Sequence, residues 1–433
     1  MAHKQLHIGM SLAPTWLSGD GWRHEGSNIE HTFGTDFFVD IARRAEAAKL
    51  DFIFRPDSLF LNAPIMETSP GFGSLDSTVL MAALARETSK IGLLSTVSTT
   101  FMPPYVVARQ IMSLHQISNG RAGWNIVTAL DGNENFGLET MPSSDERYAR
   151  AAEFTEVVRS LWESFPDAAL KRDRQSGQFA DTSLIQPVHH EGAHFKVKGP
   201  LNLPSYRDVA IPLFQAGASP AGRSFAASVA DAIFSATPDL DAAIDLRKDL
   251  RSLAESHGRK ADDVRLLPGL SLYLAPTRKE AEELFIYTHA RTSRARKIAS
   301  IRDMTGLDLT NWADDQPVKA ADLPPVPVVL RSKTHAGLLR RLIEREEPVL
   351  RDLLHRPEVI SAGHWQVIGT VDDAVESVKH WQEAGAIDGF ITAPGGSSGS
   401  MNLALDELMP RLSEIGLLRS EYSGNTLANH IYE

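Results

Sequence analysis

The chain has no cysteine. Disulfides, thiolate nucleophiles and cysteine-ligated metals are therefore excluded together, while every redox compartment stays open. Long apolar runs are missing too. No stretch of about 18 apolar residues occurs, so no segment reads as a membrane-spanning helix. Positive charge is in deficit: 44 Lys and Arg stand against 55 Asp and Glu, a formal net charge of −11 over 433 residues. That balance disfavours nucleic acid and anionic membrane surfaces as partners. An acidic ligand is not excluded, because one local cluster of donors can hold it. The opening MAHKQLHIGMSL runs straight into a strand-like segment without the charged region and apolar core of a secretory signal, so the cytoplasm is the expected location. Two catalytic signatures are also absent: a GxGxxG loop after the first strand and a P-loop. His189, His190 and His194 cluster near Glu191 but lack a spacing such as HExxH, so zinc is not expected.

What is present is alternation. Strand-like runs at Leu6–Ser11, Phe52–Phe54, Ile91–Val97, Gly123–Val127, Pro212–Ala216, Ala232–Ala236, Val264–Leu274 and Gly389–Thr392 are separated by helical patterns. In Asp36–Lys49, for example, Phe37, Ile41, Ala45 and Ala48 share one face, and Asp76 stands as an N-cap before the next helix. Eight strand–helix units predict an α/β fold, a (β/α)8 TIM barrel, as one domain over residues 1–433. Two irregular stretches raise its length, one after the fourth helix (about 166–209) and one after the seventh strand (about 291–366). A doubly wound open sheet is the competing architecture, and the missing glycine-rich loop counts against it. The tail Ser420–Glu433 has no clear period and reads as packing across the surface or onto a neighbouring protomer.

In a barrel, ligands meet the carboxyl ends of the strands. Asp57 follows the second strand, and Ser95, Thr96, Ser98, Thr99 and Thr100 surround the end of the third. The fourth is carried by GRAGWNIVT (Gly120–Thr128), an apolar run with Asn125 in its middle and Thr128 at its end. A buried amide needs a partner, which is either a neighbouring backbone group or a ligand. The fifth strand enters Gln215-Ala216-Gly217-Ala218-Ser219, a small-residue turn opening a helix, with Arg223 one turn on. Free N–H groups there suit an anion; equally, Gly217 serves as a plain turn glycine and Ser219 as an ordinary N-cap.

These segments together resemble the bacterial-luciferase-like flavin monooxygenases. The likeness is greatest to the branch with nitrilotriacetate monooxygenase, dibenzothiophene-sulfone monooxygenase and pristinamycin synthase. It rests on GRAGWNIVT with Asn135-Phe136-Gly137, on QAGASPAGRSFAASVADAIF, and on KQLHIG, STTFMPPYVVAR, ERYARAAEF, GPLNLP, EAGAIDGF and GNTL. The resemblance implies a two-component monooxygenase. Reduced FMN comes from a separate NAD(P)H-dependent flavin reductase, and one atom of O2 enters a small-molecule substrate. It implies that Asp57 and Thr96 meet the flavin ring, with Asn125 and Thr128 beside them, and that Ala218, Ser219 and Tyr148 hold the phosphate. Ser144 stands at a cofactor-binding position where the family usually has a histidine, which weakens one polar contact near the flavin and leaves it to Ser144 itself, to water or to another side chain. The implied oxygenation chamber takes its wall from Trp16, Trp22, Phe60 and Phe101, and a base or proton donor from His24, His31 or Asp57. The second irregular stretch is a candidate lid, and its Arg331, Lys333, Arg340 and Arg341 read better as a solvated helix face than as a carboxylate site. A homo-oligomer is implied as well. Two alternatives remain: a deazaflavin-dependent oxidoreductase on the same barrel, and a flavin-binding protein without catalysis.

Overall fold

The computed structural model describes residues 5–432 except 328, 329, 331 and 362, so Arg331 lies outside the described residues. Its strands are β1 (His7–Ser11), β2 (Phe52–Arg55), β3 (Gly92–Ser98), β4 (Ala122–Val127), β5 (His190–Glu191), β6 (Lys196–Val197), β7 (Leu213–Ala216), β8 (Ala232–Ser235), β9 (Arg265–Leu274), β10 (Trp365–Gly369) and β11 (Gly389–Pro394). Its helices are α1 (Thr35–Ala47), α2 (Ser77–Glu87), α3 (Pro104–Ile117), α4 (Ser144–Glu163), α5 (Pro220–Val229), α6 (Leu240–Ser256), α7 (Arg278–His289), α8 (Arg294–Thr305), α9 (Lys333–Glu346), α10 (Leu350–Leu353), α11 (Pro357–Ile360), α12 (Val371–Glu383), α13 (Ser398–Leu403), α14 (Met409–Glu414) and α15 (Leu427–Tyr432).

Eight parallel strands close the predicted barrel in the order β1-β2-β3-β4-β7-β8-β9-β11, with β11 pairing back onto β1. Alternation sorts the side chains. Phe52, Phe54, Leu94, Phe214, Ala232, Leu267 and Ile391 point inward as one apolar plug. Ile8, Met10, Ile53, Leu93 and Leu270 point outward against the helices. Gly9 is required here, because a Cβ on it would fall 2.2 Å from the Phe52 ring.

Two features depart from the sequence expectation. The second irregular stretch ends in a real strand, β10, whose residues Trp365–Gly369 pair with Leu270–Leu274 of β9. On that edge of β9, β8 covers only Arg265–Pro268, so β10 takes over where β8 leaves. The tail also has a defined place: α15 inserts Leu427 and Ile431 into the inner apolar plug at the foot of the barrel. Leu427 lies against Gly92 and Gly123, the positions where β3 and β4 begin.

Between α4 and β7 the chain forms the β5–β6 hairpin, and Phe195 and Leu201 join the apolar layer shared by α3 and α4. The stretch after α7 packs Ile301, Leu309, Leu339, Ile343, Leu350 and Leu353 into a cluster of its own. Its basic side chains tie it down: Arg340 donates to the Thr305 carbonyl and Arg341 to Asp245. Among the described residues no helix is long and apolar enough to cross a membrane.

Candidate functional site

The barrel turns polar just above its apolar plug. Leu94 faces inward, so Thr96, two residues on, shares that face; Trp124 and Ile126 pack outward, so Asn125 between them points in. The β3–β4 register sets Thr96 opposite Asn125. Asn125 Nδ2 donates to Thr96 Oγ1 at 3.0 Å, while its Oδ1 is buried with no partner. A buried acceptor without a donor is uncommon in native proteins and points to a missing ligand. Ser77, at the start of α2, donates to the Arg55 carbonyl at 3.1 Å and accepts the Thr96 N–H at 2.9 Å, which fastens the end of β2 to this wall. Asp57 follows at once. Its Oδ1 accepts the Ser58 N–H at 2.8 Å and the Ser74 hydroxyl at 3.2 Å. Burial nevertheless raises its pKa above its ordinary value. Arg55 is a buried strut that donates to the Leu12 carbonyl at 2.5 Å and lies on the Phe38 ring. Thr128 sits half-buried one residue past β4.

The neighbouring strand supplies a second cluster. Asn125 and Ile126 of β4 pair with Phe214 and Gln215 of β7. Gln215 Nε2 donates to the Tyr148 hydroxyl at 3.3 Å, and its Oε1 is buried without a partner. The chain then turns at Gly217, whose φ of +126° favours glycine, and enters α5 with Ser219 as N-cap and Pro220 in the first turn. Ser219 Oγ accepts the Gly222 N–H at 3.2 Å. A Cβ on Gly222 would lie 2.7 Å from the Tyr148 hydroxyl and 3.2 Å from Ser219 Oγ, so glycine is what leaves this cradle open. Tyr148, Ala218 and Ser219 thus meet at one helix N-terminus, the setting that favours a phosphate. Arg223 does not reach into it: its guanidinium donates to the Ala218 carbonyl at 2.7 Å and to Asp249 at 2.9 Å. Ser144 opens α4 and is half-buried; the cap of that helix is Ser143, in a reciprocal capping box with Glu146.

The remaining candidates disperse. The His24 ring lies tilted against Tyr287 of α7 with a centroid distance of 4.7 Å. His31 is exposed at the end of a short 3-10 turn. Trp16 is core rather than chamber wall, buried and stacked on Phe37. Trp22 donates to the Thr68 carbonyl. Phe101 stacks flat on Phe136 at 4.4 Å, and Asn135 donates to the Leu59 carbonyl, which joins the loops after β2, β3 and β4 into one rim. Sequence reasoning passed over Ser235 and Thr392, which are buried hydroxyls without partners at the ends of β8 and β11. The signal that marks Asn125, a polar side chain inside an apolar run, is also present in AIFSATP and GFITAP.

The luciferase-like monooxygenase family matches residues 17–387. N-acetyl-S-(2-succino)cysteine monooxygenase of Bacillus subtilis (strain 168) is 32% identical over 431 residues, covering 99% of this chain and 96% of its own. Nitrilotriacetate monooxygenase component A of Aminobacter aminovorans is 32% identical over 444 residues, with coverages of 99% and 97%. Among solved structures, a riboflavin lyase with a modified FMN and its substrate riboflavin superposes with a TM-score of 0.84 at 28% identity, covering 99% of this chain and 96% of that one.

Proposed function

This chain belongs to the luciferase-like monooxygenase family, and from that premise we propose that it is a two-component FMN-dependent monooxygenase acting on a small organic substrate. The observation that carries the reading is the pairing of the buried, unpartnered Asn125 Oδ1 with the open Tyr148–Gly222–Ser219 cradle on adjacent strands of one barrel mouth. These residues fit FMN. The α5 N-terminus, Ser219 and Tyr148 would hold the phosphate; Thr96, Asn125, Thr128 and Asp57 would meet the ring. Reduced FMN supplies the electrons that activate O2, one atom entering the substrate and the other leaving as water.

The protein's own tasks are to bind, orient and exclude water. The apolar plug beneath the mouth and the Phe101–Phe136 stack on its rim serve the last. Asp57 is the carboxylate at this mouth, and burial raises its pKa above its ordinary value, which suits a proton-carrying role. A separate NAD(P)H-dependent flavin reductase supplies the reduced FMN, and the protein works in the cytoplasm as a homo-oligomer.

The test is a compound screen with reduced FMN and O2, read by mass spectrometry. A product heavier by one oxygen atom, dependent on reduced FMN, supports the reading. Oxygen uptake independent of FMN, or turnover without O2, counts against it.

A further inference from the structure

We infer that His364 forms the second polar wall of the flavin slot, across the barrel mouth from Thr96 and Asn125, and takes up a proton when the reduced, anionic ring arrives. The inference rests on the FMN reading above. It starts from the gap in β9's pairing: β8 leaves β9 at Ser235↔Pro268, and β10 joins at Trp365↔Leu270. Gly269 lies in that gap, and His364 immediately precedes β10. Leu267 belongs to the inward apolar plug, so Gly269, two residues on, shares its inward face. A Cβ on Gly269 would fall 2.7 Å from His364 Nδ1. The missing side chain therefore lets the imidazole occupy the interior of the barrel. Phe234, which packs on the inward plug, lies with its ring 5.3 Å from the imidazole.

Among the described residues no hydrogen bond reaches either ring nitrogen, and the residue is only half-buried. A polar ring with that combination faces a ligand space. The strand order says which ligand. The cradle on β7 stands between β4, with Asn125, and β8, with Phe234. A molecule anchored at Ser219 and reaching across the mouth has Thr96 and Asn125 on one flank and Phe234 and His364 on the other.

Burial pushes the His364 imidazole down to about 4, and His335 at the start of α9 adds to the effect. The other titratable groups on the neighbouring segments include Asp239 before α6, Lys333 on α9, and Arg356 and Glu358 at α11. The His364 imidazole is neutral near neutral pH. An anion set against it favours the charged form and reverses the shift. Oxidised FMN carries no charge on its ring and leaves it neutral.

The experiment is anaerobic calorimetric titration of the full chain with oxidised and with reduced FMN, between about pH 5.5 and 8, in buffers of different ionisation enthalpy. Wild type should bind reduced FMN with net proton uptake. His364→Gln should lose that uptake and about tenfold of its affinity for reduced FMN, and keep oxidised FMN within about twofold. His364→Phe, which retains the ring against Phe234, takes its place if the glutamine variant does not fold. A residue that merely props the fold would weaken both redox forms alike, and that result overturns the inference. So does proton uptake that survives in the variant, or wild-type binding without uptake. Failure of wild type to bind either form would overturn the FMN reading itself.

Discussion

Arg121 and Asn125 stand four positions apart in GRAGWNIVT and have opposite duties. Arg121 is buried at the amino end of β4 and donates to the carbonyls of Ser118, Ile91, Ala85 and Thr88 and to the Thr88 hydroxyl. It closes the foot of the barrel, the face that carries stability rather than chemistry. Arg121→Ala strands those carbonyls and should cost roughly 3 kcal/mol or more in denaturant unfolding, since among the described residues no other side chain donates to them. Asn125 belongs to the mouth. Asn125→Leu removes an unpartnered acceptor but also takes the donor from the Thr96 hydroxyl, so the free protein should lose only about 1 kcal/mol, while FMN affinity falls about tenfold per lost hydrogen bond. Unfolding curves and flavin titrations on the same samples separate the two residues; equal loss of stability and affinity in Asn125→Leu would refute the assignment. The amide in an apolar strand was legible in the sequence. The duty of Arg223 was not, because its partner Asp249 lies a helix away on α6.

Elements far apart in the chain hold the foot of the barrel closed. Asp388, just before β11, receives Arg247 of α6 at 2.7 and 3.0 Å and the Leu266 N–H at 3.0 Å. Burial alone would raise its pKa; the Arg247 guanidinium, with the Leu266 amide and Arg251, more than reverses this and holds it below the ordinary value. A depressed folded pKa stabilises the protein above the unfolded carboxylate value of about 3.9, and the gain is lost as pH falls through the folded value. Asp388→Asn should therefore cost about 3 kcal/mol near neutrality, with the gap to wild type narrowing below about pH 4. A gap that is constant with pH would contradict this. Leu427→Ala should cost about 2–5 kcal/mol by opening the apolar plug from beneath. The strand and helix periods made most elements readable in advance. Two were not: β10 is five residues long at the end of an irregular stretch, and α15 gains its meaning from Gly92 and Gly123, some three hundred residues earlier.

At the scale of the whole molecule, the eight-stranded ring brings Asp57, Thr96, Asn125, Tyr148 and Ser219 to the ends or flanks of neighbouring strands β2, β3, β4 and β7. The barrel was legible because hydrophobic alternation repeats along the chain. The far wall was not, since His364 owes its place to the side chain that Gly269 lacks. If reduced FMN is a diffusible co-substrate, photoreduced FMN should replace the flavin reductase in supporting product formation; strict dependence on the reductase protein would contradict that. The most direct measurement is a crystal structure of the protein soaked with FMN. Phosphate density against Ser219 and Tyr148 with the ring beside Asn125 is the predicted result. Flavin bound anywhere else, or a barrel mouth that stays free of it at saturating FMN, would contradict the account.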